Sequence, residues 1–241
     1  MRYLIFSDIH SNWEAFEILL DCLRKEKPDK IIFLGDAVGY GADPEKVVNA
    51  LLELKPFLCA GNHDWAVAGK VSLEYFNPFA RYAIEWTKKN ISSAVFEFLY
   101  SLPLRYEEKS FICFHASIFE PYNFHYITNR EEAAFNFQFL EKNLCFIGHT
   151  HQPEVYIQGE NKIFFLKEEE IGIDLRYRYI VNVGSIGQPR DRDPRICFCI
   201  YDEEKRKINY KRLEYNIIKA QNKILKNKLP SFLAYRLGIG V

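Results

Sequence analysis

Short apolar runs alternate with amphipathic stretches along the first 150 residues. RYLIF (2–6), KIIFL (30–34), PFLCA (56–60), SFICF (110–114), LCFI (144–147) and YRYIVNV (177–183) predict strands buried on both faces. Helices fall between them. Ser11-Asn12-Trp13-Glu14 reads as a capping box opening a helix to about Lys25. Asp43-Pro44 and Asn77-Pro78 each join an N-cap residue to a proline in the first turn. Arg130–Lys142 predicts a further helix. Beyond about residue 154 the pattern changes. EVYIQGENKIFFLK and RICFCIYDEEKRKINYKRLEY read as hairpins, turning at Gly159-Glu160-Asn161 and near Asp202–Lys205. The tail from Asn216 reads as helix, cut in two by Pro230. A βαβ half followed by an antiparallel half predicts an α/β fold with two packed mixed β-sheets flanked by helices. No repeat, low-complexity tract or Gly/Ser/Pro-rich linker interrupts it, so one domain over 1–241 is expected.

The unusual polar residues fall just past the predicted strands. Asp8 and His10 follow the first, Asp36 the second, and Asn62, His63 and Asp64 the third. His115 follows the next strand, His149 and His151 the one after, and Gly184-Ser185 the last. Five of the six histidines occupy such positions, and only His125 lies elsewhere. A lone histidine is usually a satisfied loop or core residue. Five at strand ends, interleaved with Asp and Asn, are better explained by a shared site, because open α/β sheets build sites at carboxyl ends of strands. His, Asp and Asn without Cys form a hard-to-borderline ligand set suited to Mn²⁺, Fe or Zn²⁺. One metal with an open position needs about three or four ligands. Seven candidates (Asp8, His10, Asp36, Asn62, His115, His149 and His151) suit two ions with one carboxylate bridging, as in two-metal hydrolysis of phosphate esters. Two divalent ions, two carboxylates and a bridging hydroxide leave a net charge of about +1, which attracts a phosphoryl anion.

Composition narrows the partners. Lys plus Arg and Asp plus Glu are balanced at 32 each, so no global field favours nucleic acid or a membrane surface. No apolar run reaches the roughly 18 residues of a membrane span, and the N-terminus has no secretory pattern. The six cysteines form no CxxC pair and sit mostly in apolar runs, as reduced buried thiols of a cytoplasmic protein would.

DIH, GDAVGYG, GNHD, HAS and GHTH, in that order, resemble the five-block signature of calcineurin-like metallophosphoesterases over about residues 1–200. GDAVGYGADP, FNPFARYAIEWT and NVGSIGQPRDRDPR are further similar to a prokaryotic YfcE-like phosphodiesterase branch. The resemblance implies a four-layer αββα sandwich. It also implies a phosphodiesterase, acting on phosphomonoesters too, in which a hydroxide held by a dinuclear centre attacks phosphorus. Asp8, His10, Asp36 and His151 would hold the first ion; Asp36 would bridge to a second completed by Asn62, His115 and His149. His63 would assist the leaving group, oriented by Asp64 through a hydrogen bond. Mn²⁺ is the first candidate ion, with Fe, Zn²⁺, Ni²⁺ and Co²⁺ as alternatives. Departures matter. GYG and AGNHD stand where protein phosphatases carry an arginine and RGNHE, which argues against a protein substrate; Ala116–Phe119 replaces a proline-rich loop, and VNVGS lacks the usual turn proline.

Weaker candidates remain. Arg190, nearest the site in GQPRDRDPR, is a candidate phosphate clamp, although an Arg/Asp-rich surface turn is an equally ordinary reading of Arg190, Arg192 and Arg195. Gly39 and Gly41 either leave room for substrate or allow a turn with positive φ, the latter favoured. The aromatics of IFEPYNFHY read first as core packing or a subunit contact, and second as walls for a nucleobase or aryl group. The basic amphipathic tail reads as a helix docked on its own domain with a solvated lysine face, dimerisation or membrane contact being the alternatives. The expected partner is a small phosphate ester, nucleotides included. Dinucleoside polyphosphate hydrolysis is the rival activity, and a catalytically silent scaffold of the same fold the rival class.

Overall fold

The computed structural model describes residues 1–160 and 162–241. The strands are Arg2–Phe6 (β1), Lys30–Phe33 (β2), Phe57–Leu58 (β3), Arg105–Glu107 (β4), Ile112–Phe114 (β5), Leu144–Ile147 (β6), Glu154–Gln158 (β7), Ile163–Leu166 (β8), Glu170–Gly172 (β9), Arg178–Asn182 (β10), Ile196–Asp202 (β11) and Lys207–Leu213 (β12). The helices are Trp13–Glu26 (α1), Pro44–Leu54 (α2), Asn62–Val67 (α3), Pro78–Lys89 (α4), Ser93–Ser101 (α5), Arg130–Phe137 (α6), Ile217–Lys226 (α7) and Ser231–Tyr235 (α8). Two six-stranded sheets run β3-β2-β1-β11-β12-β9 and β4-β5-β6-β10-β7-β8. The antiparallel half is shared between them: β11 pairs with β1 (Arg2 opposite Asp202), while β10 pairs parallel with β6 (Tyr179 opposite Leu144).

Alternation of side chains along each strand separates three cores. Tyr3 and Ile5 point between the sheets, where they join Phe111, Phe146, Val181 and Cys199. Leu4 and Phe6 point the other way, onto a core shared with α1, α2, α4, α5 and the tail helices. Phe114, Cys145 and Ile180 form a third core with α6 on the far face of the second sheet. The layers are therefore helix, sheet, sheet, helix. All six cysteines are free and five are buried, with the Cys59 and Cys197 thiols each pushed up to about 12 by burial.

Several expectations are adjusted by tertiary contacts. PFLCA forms only the two-residue edge strand β3, with Phe57 exposed, so it is not buried on both faces. Helix α1 is capped by Asn12, whose side chain accepts from Ala15 N at 3.2 Å; Ser11 is in left-handed backbone and no Ser11 capping box forms. Asn77 caps α4 as expected, accepting from Ala80 N at 3.0 Å. Asp43 makes no such cap bond and instead accepts from Lys223 Nζ at 2.6 Å. Helix α6 stops at Phe137 rather than Lys142, because Arg178 takes the carbonyls of Phe137 and Leu140 and Lys142 turns to that of Glu108. Both hairpins form, with Lys205 N donating to Asp202 Oδ1 at 3.0 Å in the second turn. The first turn reaches residue 161, which lies outside the described residues. The tail docks as α7 and α8, and Lys223 is drawn into ion pairs with Glu14 and Asp43 rather than left in solvent.

Phe111 is fully buried between the sheets, edge-on to Tyr3 at 4.9 Å and to Phe146 at 5.3 Å. Phe111→Ala should destabilise the protein by about 3–5 kcal/mol through lost burial and the cavity left behind, read as a lower midpoint in chemical denaturation.

Candidate metal centre

The two sheets pack face to face, so the loops leaving the carboxyl ends of β1, β2, β5 and β6 meet on one edge of the sandwich. Their backbones are tied to each other: Asp8 N donates to the Gly35 carbonyl (2.9 Å), His10 N to that of Asp36 (3.0 Å) and Gly148 N to that of His115 (2.8 Å). The loop after β10 closes the ring, with Ser185 Oγ donating to the Asp8 carbonyl at 2.9 Å and Asn182 Nδ2 to that of Gly148 at 2.6 Å. Asp8, His10, Asp36, His149 and His151 all have positive φ, between 49° and 69°. Each such residue costs about 1–3 kcal/mol, and non-glycine strain of this kind concentrates at functional sites. Crowding sets the glycines: a Cβ on Gly61 would stand 1.9 Å from Asp36 Oδ1, and one on Gly39 2.4 Å from His63 Nδ1. Gly39 also has φ +90°, which accords with the turn reading.

Three overlapping groups of ligand atoms lie within 4.8 Å of one another: Asp8, His10 and His151; Asp36, His115 and His149; and His10, Asp36 and His63. Asp36 stands between the first two, its Oδ2 3.5 Å from His10 Nε2 and 3.4 Å from His115 Nε2. Asp8 Oδ1 is 3.2 Å from His151 Nε2. The imidazoles are oriented from behind: Nδ1 of His10, His115 and His151 donates to the carbonyls of Val38 (3.0 Å), Leu34 (2.9 Å) and Gln188 (2.6 Å). In the neutral ring that bond leaves Nε2 as a bare lone pair. Yet Nε2 of His10 and His151 approach to 3.1 Å, and His115 Nε2 lies 3.2 Å from His149 Nδ1. Lone pairs converge like this when a cation is their common partner. Asp8 Oδ1, Asn62 Oδ1 and His149 Nε2 are buried with no hydrogen-bond partner among the described residues. The donor set fits divalent ions with mixed carboxylate, amide and imidazole ligation.

The electrostatics point the same way. Burial opposes ionisation of Asp8 and Asp36, but the imidazoles of His151 beside the former and of His115 and His63 beside the latter hold both carboxyls below their ordinary range. Burial also works against protonation of His115, and the carboxylates of Asp36 and Asp8 overcome it, pushing the ring up to about 9. Burial drives the His10 and His149 imidazoles the other way, well below the usual range.

All seven candidate ligands and His63 are thus gathered at one place. One expected contact is absent. Asp64 does not bond His63; its carboxylate accepts from the backbone N–H groups of Asp36 (2.8 Å), Ala37 (2.8 Å), Val38 (3.3 Å) and Gly61 (3.1 Å), while His63 Nδ1 has no partner among the described residues. Asp64 therefore braces the Asp36 loop. Arg190 reaches the rim, its Nη2 2.9 Å from Gln188 Oε1 and 3.4 Å from Tyr40 Oη, whereas Arg195 pairs with Asp193 at 2.6 Å and Arg192 binds Gly240 through its main chain.

A cleft of about 630 Å³ opens from Asn62, His63 and His149. Tyr75, Tyr122 and Tyr126 line it and are 86, 54 and 51% exposed, so the aromatics of IFEPYNFHY are divided between wall and core rather than all packed inside. Tyr126 stacks on His149 at 4.1 Å, and His125, set apart in the sequence, lines the same cleft. Tyr40 is the main contributor that sequence reasoning passed over: its ring packs against His10 at 4.6 Å and His63 at 4.5 Å. Its place inside GDAVGYG was the available signal.

The four-layer fold and this cluster define a metal-dependent phosphoesterase architecture. The chain belongs to the calcineurin-like phosphoesterase superfamily, whose domain signature matches residues 1–206, and it is accordingly a hydrolase acting on phosphate esters. It is 41% identical over 241 residues to the uncharacterized protein MJ0912 of Methanocaldococcus jannaschii, covering 98% of this chain and 97% of the relative. A crystal structure of a metallophosphoesterase from Sphaerobacter thermophilus superposes with a TM-score of 0.87 at 36% identity, covering 100% of this chain and 99% of that one. Protein PH1004 from Pyrococcus horikoshii OT3 shares the fold, with a TM-score of 0.81 at 18% identity and coverage of 100% and 98%. Among the described residues no helix is long and apolar enough to cross a membrane.

Ligation requires a neutral His115, whose ring holds a proton below about pH 9 in the metal-free protein. Divalent-ion binding should therefore release about one proton at pH 7–8, and apparent affinity should rise with pH and level off near pH 9. Calorimetry in buffers of different ionisation enthalpy checks this.

Proposed function

We propose that the protein is a two-metal phosphodiesterase of small, nucleotide-sized esters, also active on phosphomonoesters, with residues 1–241 working as one catalytic unit. The observation that carries this reading is the pair of ligand groups meeting at Asp36. It supports Asp8, His10, Asp36 and His151 as ligands of one ion, and Asp36, Asn62, His115 and His149 as ligands of the other. Mn²⁺ is the first choice because carboxylate and imidazole donors are mixed and the thiols lie elsewhere. When bound, the ions supply Lewis acidity toward the phosphoryl group and acidify water for in-line attack.

His63 lines the cleft beside Asn62 and His149, where an ester oxygen facing the ions would leave. Burial pushes its imidazole down to about 4, with Asp36 opposing and Arg190 adding to the effect. A ring that is neutral at physiological pH stabilises the departing oxygen by donating an N–H, not by carrying an imidazolium charge. Asp64 acts through the backbone of Asp36 and Gly61 as a positioning residue. Arg190, within hydrogen-bonding reach of Tyr40, supports the phosphate-clamp reading. The cleft's exposed tyrosines offer faces on which an aryl or base group can stack.

With Mn²⁺ and bis(p-nitrophenyl) phosphate, His63→Ala should lower kcat by about 10²–10³-fold while both ions are retained. Asp36→Asn should lose metal and activity together. Undiminished hydrolysis by both variants would overturn the reading.

A further inference from the structure

The C-terminal tail brings a second arginine to the rim of the metal centre. Arg236 follows α8 with its guanidinium carbon 5.9 Å from the centre of the Tyr40 ring, and the Arg190 guanidinium carbon lies 5.8 Å from the same ring. Tyr40 is itself packed on His10 and His63 and lines the cleft. Two half-buried cations thus flank one aromatic ring beside the cluster. Neither is matched by an acidic side chain among the described residues: Arg190 reaches only Gln188 and Tyr40, and Arg236 donates its Nε to the Val241 main-chain oxygen. The nearby Arg195 and Arg212 differ, each being paired with Asp193 or Asp191. Burial, reinforced by the charge of Arg190, brings Arg236 down to about 10, so the two groups act on each other.

Two guanidinium groups held together and partly out of water repel each other, and an anion shared between them relieves that repulsion. Guanidinium groups offer planar forks of donors that suit phosphate oxygens. Here Nη1 of Arg190 and both Nη groups of Arg236 have no protein acceptor among the described residues. We propose that Arg190 and Arg236, placed about Tyr40, form a second anion subsite that receives a phosphate group of the substrate other than the one at the metal centre. The subsite selects substrates carrying a second phosphate, such as nucleoside polyphosphates, over simple diesters. It rests on the phosphoesterase reading of the adjoining centre and makes the tail part of the substrate site.

The test is calorimetric binding of inorganic triphosphate and of inorganic phosphate to the Mn²⁺-loaded protein. Arg236→Gln should raise the Kd of triphosphate about tenfold or more while changing that of phosphate less than threefold. Arg236→Lys, which keeps the charge, should recover part of the loss, and thermal melting of each variant verifies folding. Unchanged triphosphate binding, or equal losses for both anions, overturns the subsite. Tight, arginine-dependent triphosphate binding by a protein that hydrolyses no ester would overturn the phosphodiesterase reading and leave the subsite standing.

Discussion

Two carboxylates, Asp8 and Asp36, lie fully buried with no lysine or arginine in ion-pair contact among the described residues. Burying even one such charge uncompensated is prohibitive, and imidazoles answer it only in part. Three of the facing histidines donate their Nδ1–H groups to carbonyls and so turn Nε2 toward the carboxylates. The whole carboxyl edge of both sheets is organised around this unmet demand for positive charge. It is the constraint that makes the strained loops and crowded glycines worth keeping.

The rest of the fold serves that constraint by rigidity. Left-handed backbone at five candidate ligands survives only where surrounding hydrogen bonds over-determine it. Asp64 illustrates how: one carboxylate gathers four N–H groups from the β2 loop and the start of α3, so Asp36 and the adjacent His63 are placed by the same side chain. Burial and the charge of Asp36 push the Asp64 carboxyl up to about 7, and the N–H groups of Gly61 and Asp36 oppose that shift.

Charge is also arranged in layers outside the centre. Arg190 and Arg236 add positive field at the rim, exposed tyrosines wall the cleft, and Lys219 and Lys223 fasten the tail to the buried Glu14 of α1. Two of the tail's four lysines are therefore engaged in docking the segment that carries Arg236, while Lys226 and Lys228 stay exposed.

Strand positions were legible because β1, β2 and β6 are apolar on both faces, and that pattern survives in a single sequence. The clustering of Asp8, His10, Asp36, Asn62, His63, His115, His149 and His151 was legible too, since each lies just past a strand and α/β sheets build sites at the carboxyl ends of their strands. Contacts set by distant chain were not. The end of α6 depends on Arg178, the partner of Asp43 is Lys223, and Asp64 bonds backbone rather than His63. The same holds for Tyr40 meeting Arg190 and Arg236. Local propensity and spacing determine which residues can be ligands, because those depend on neighbours along the chain. Which lone pairs converge, and which cations meet at one ring, is decided only when the two sheets pack and the tail closes over them.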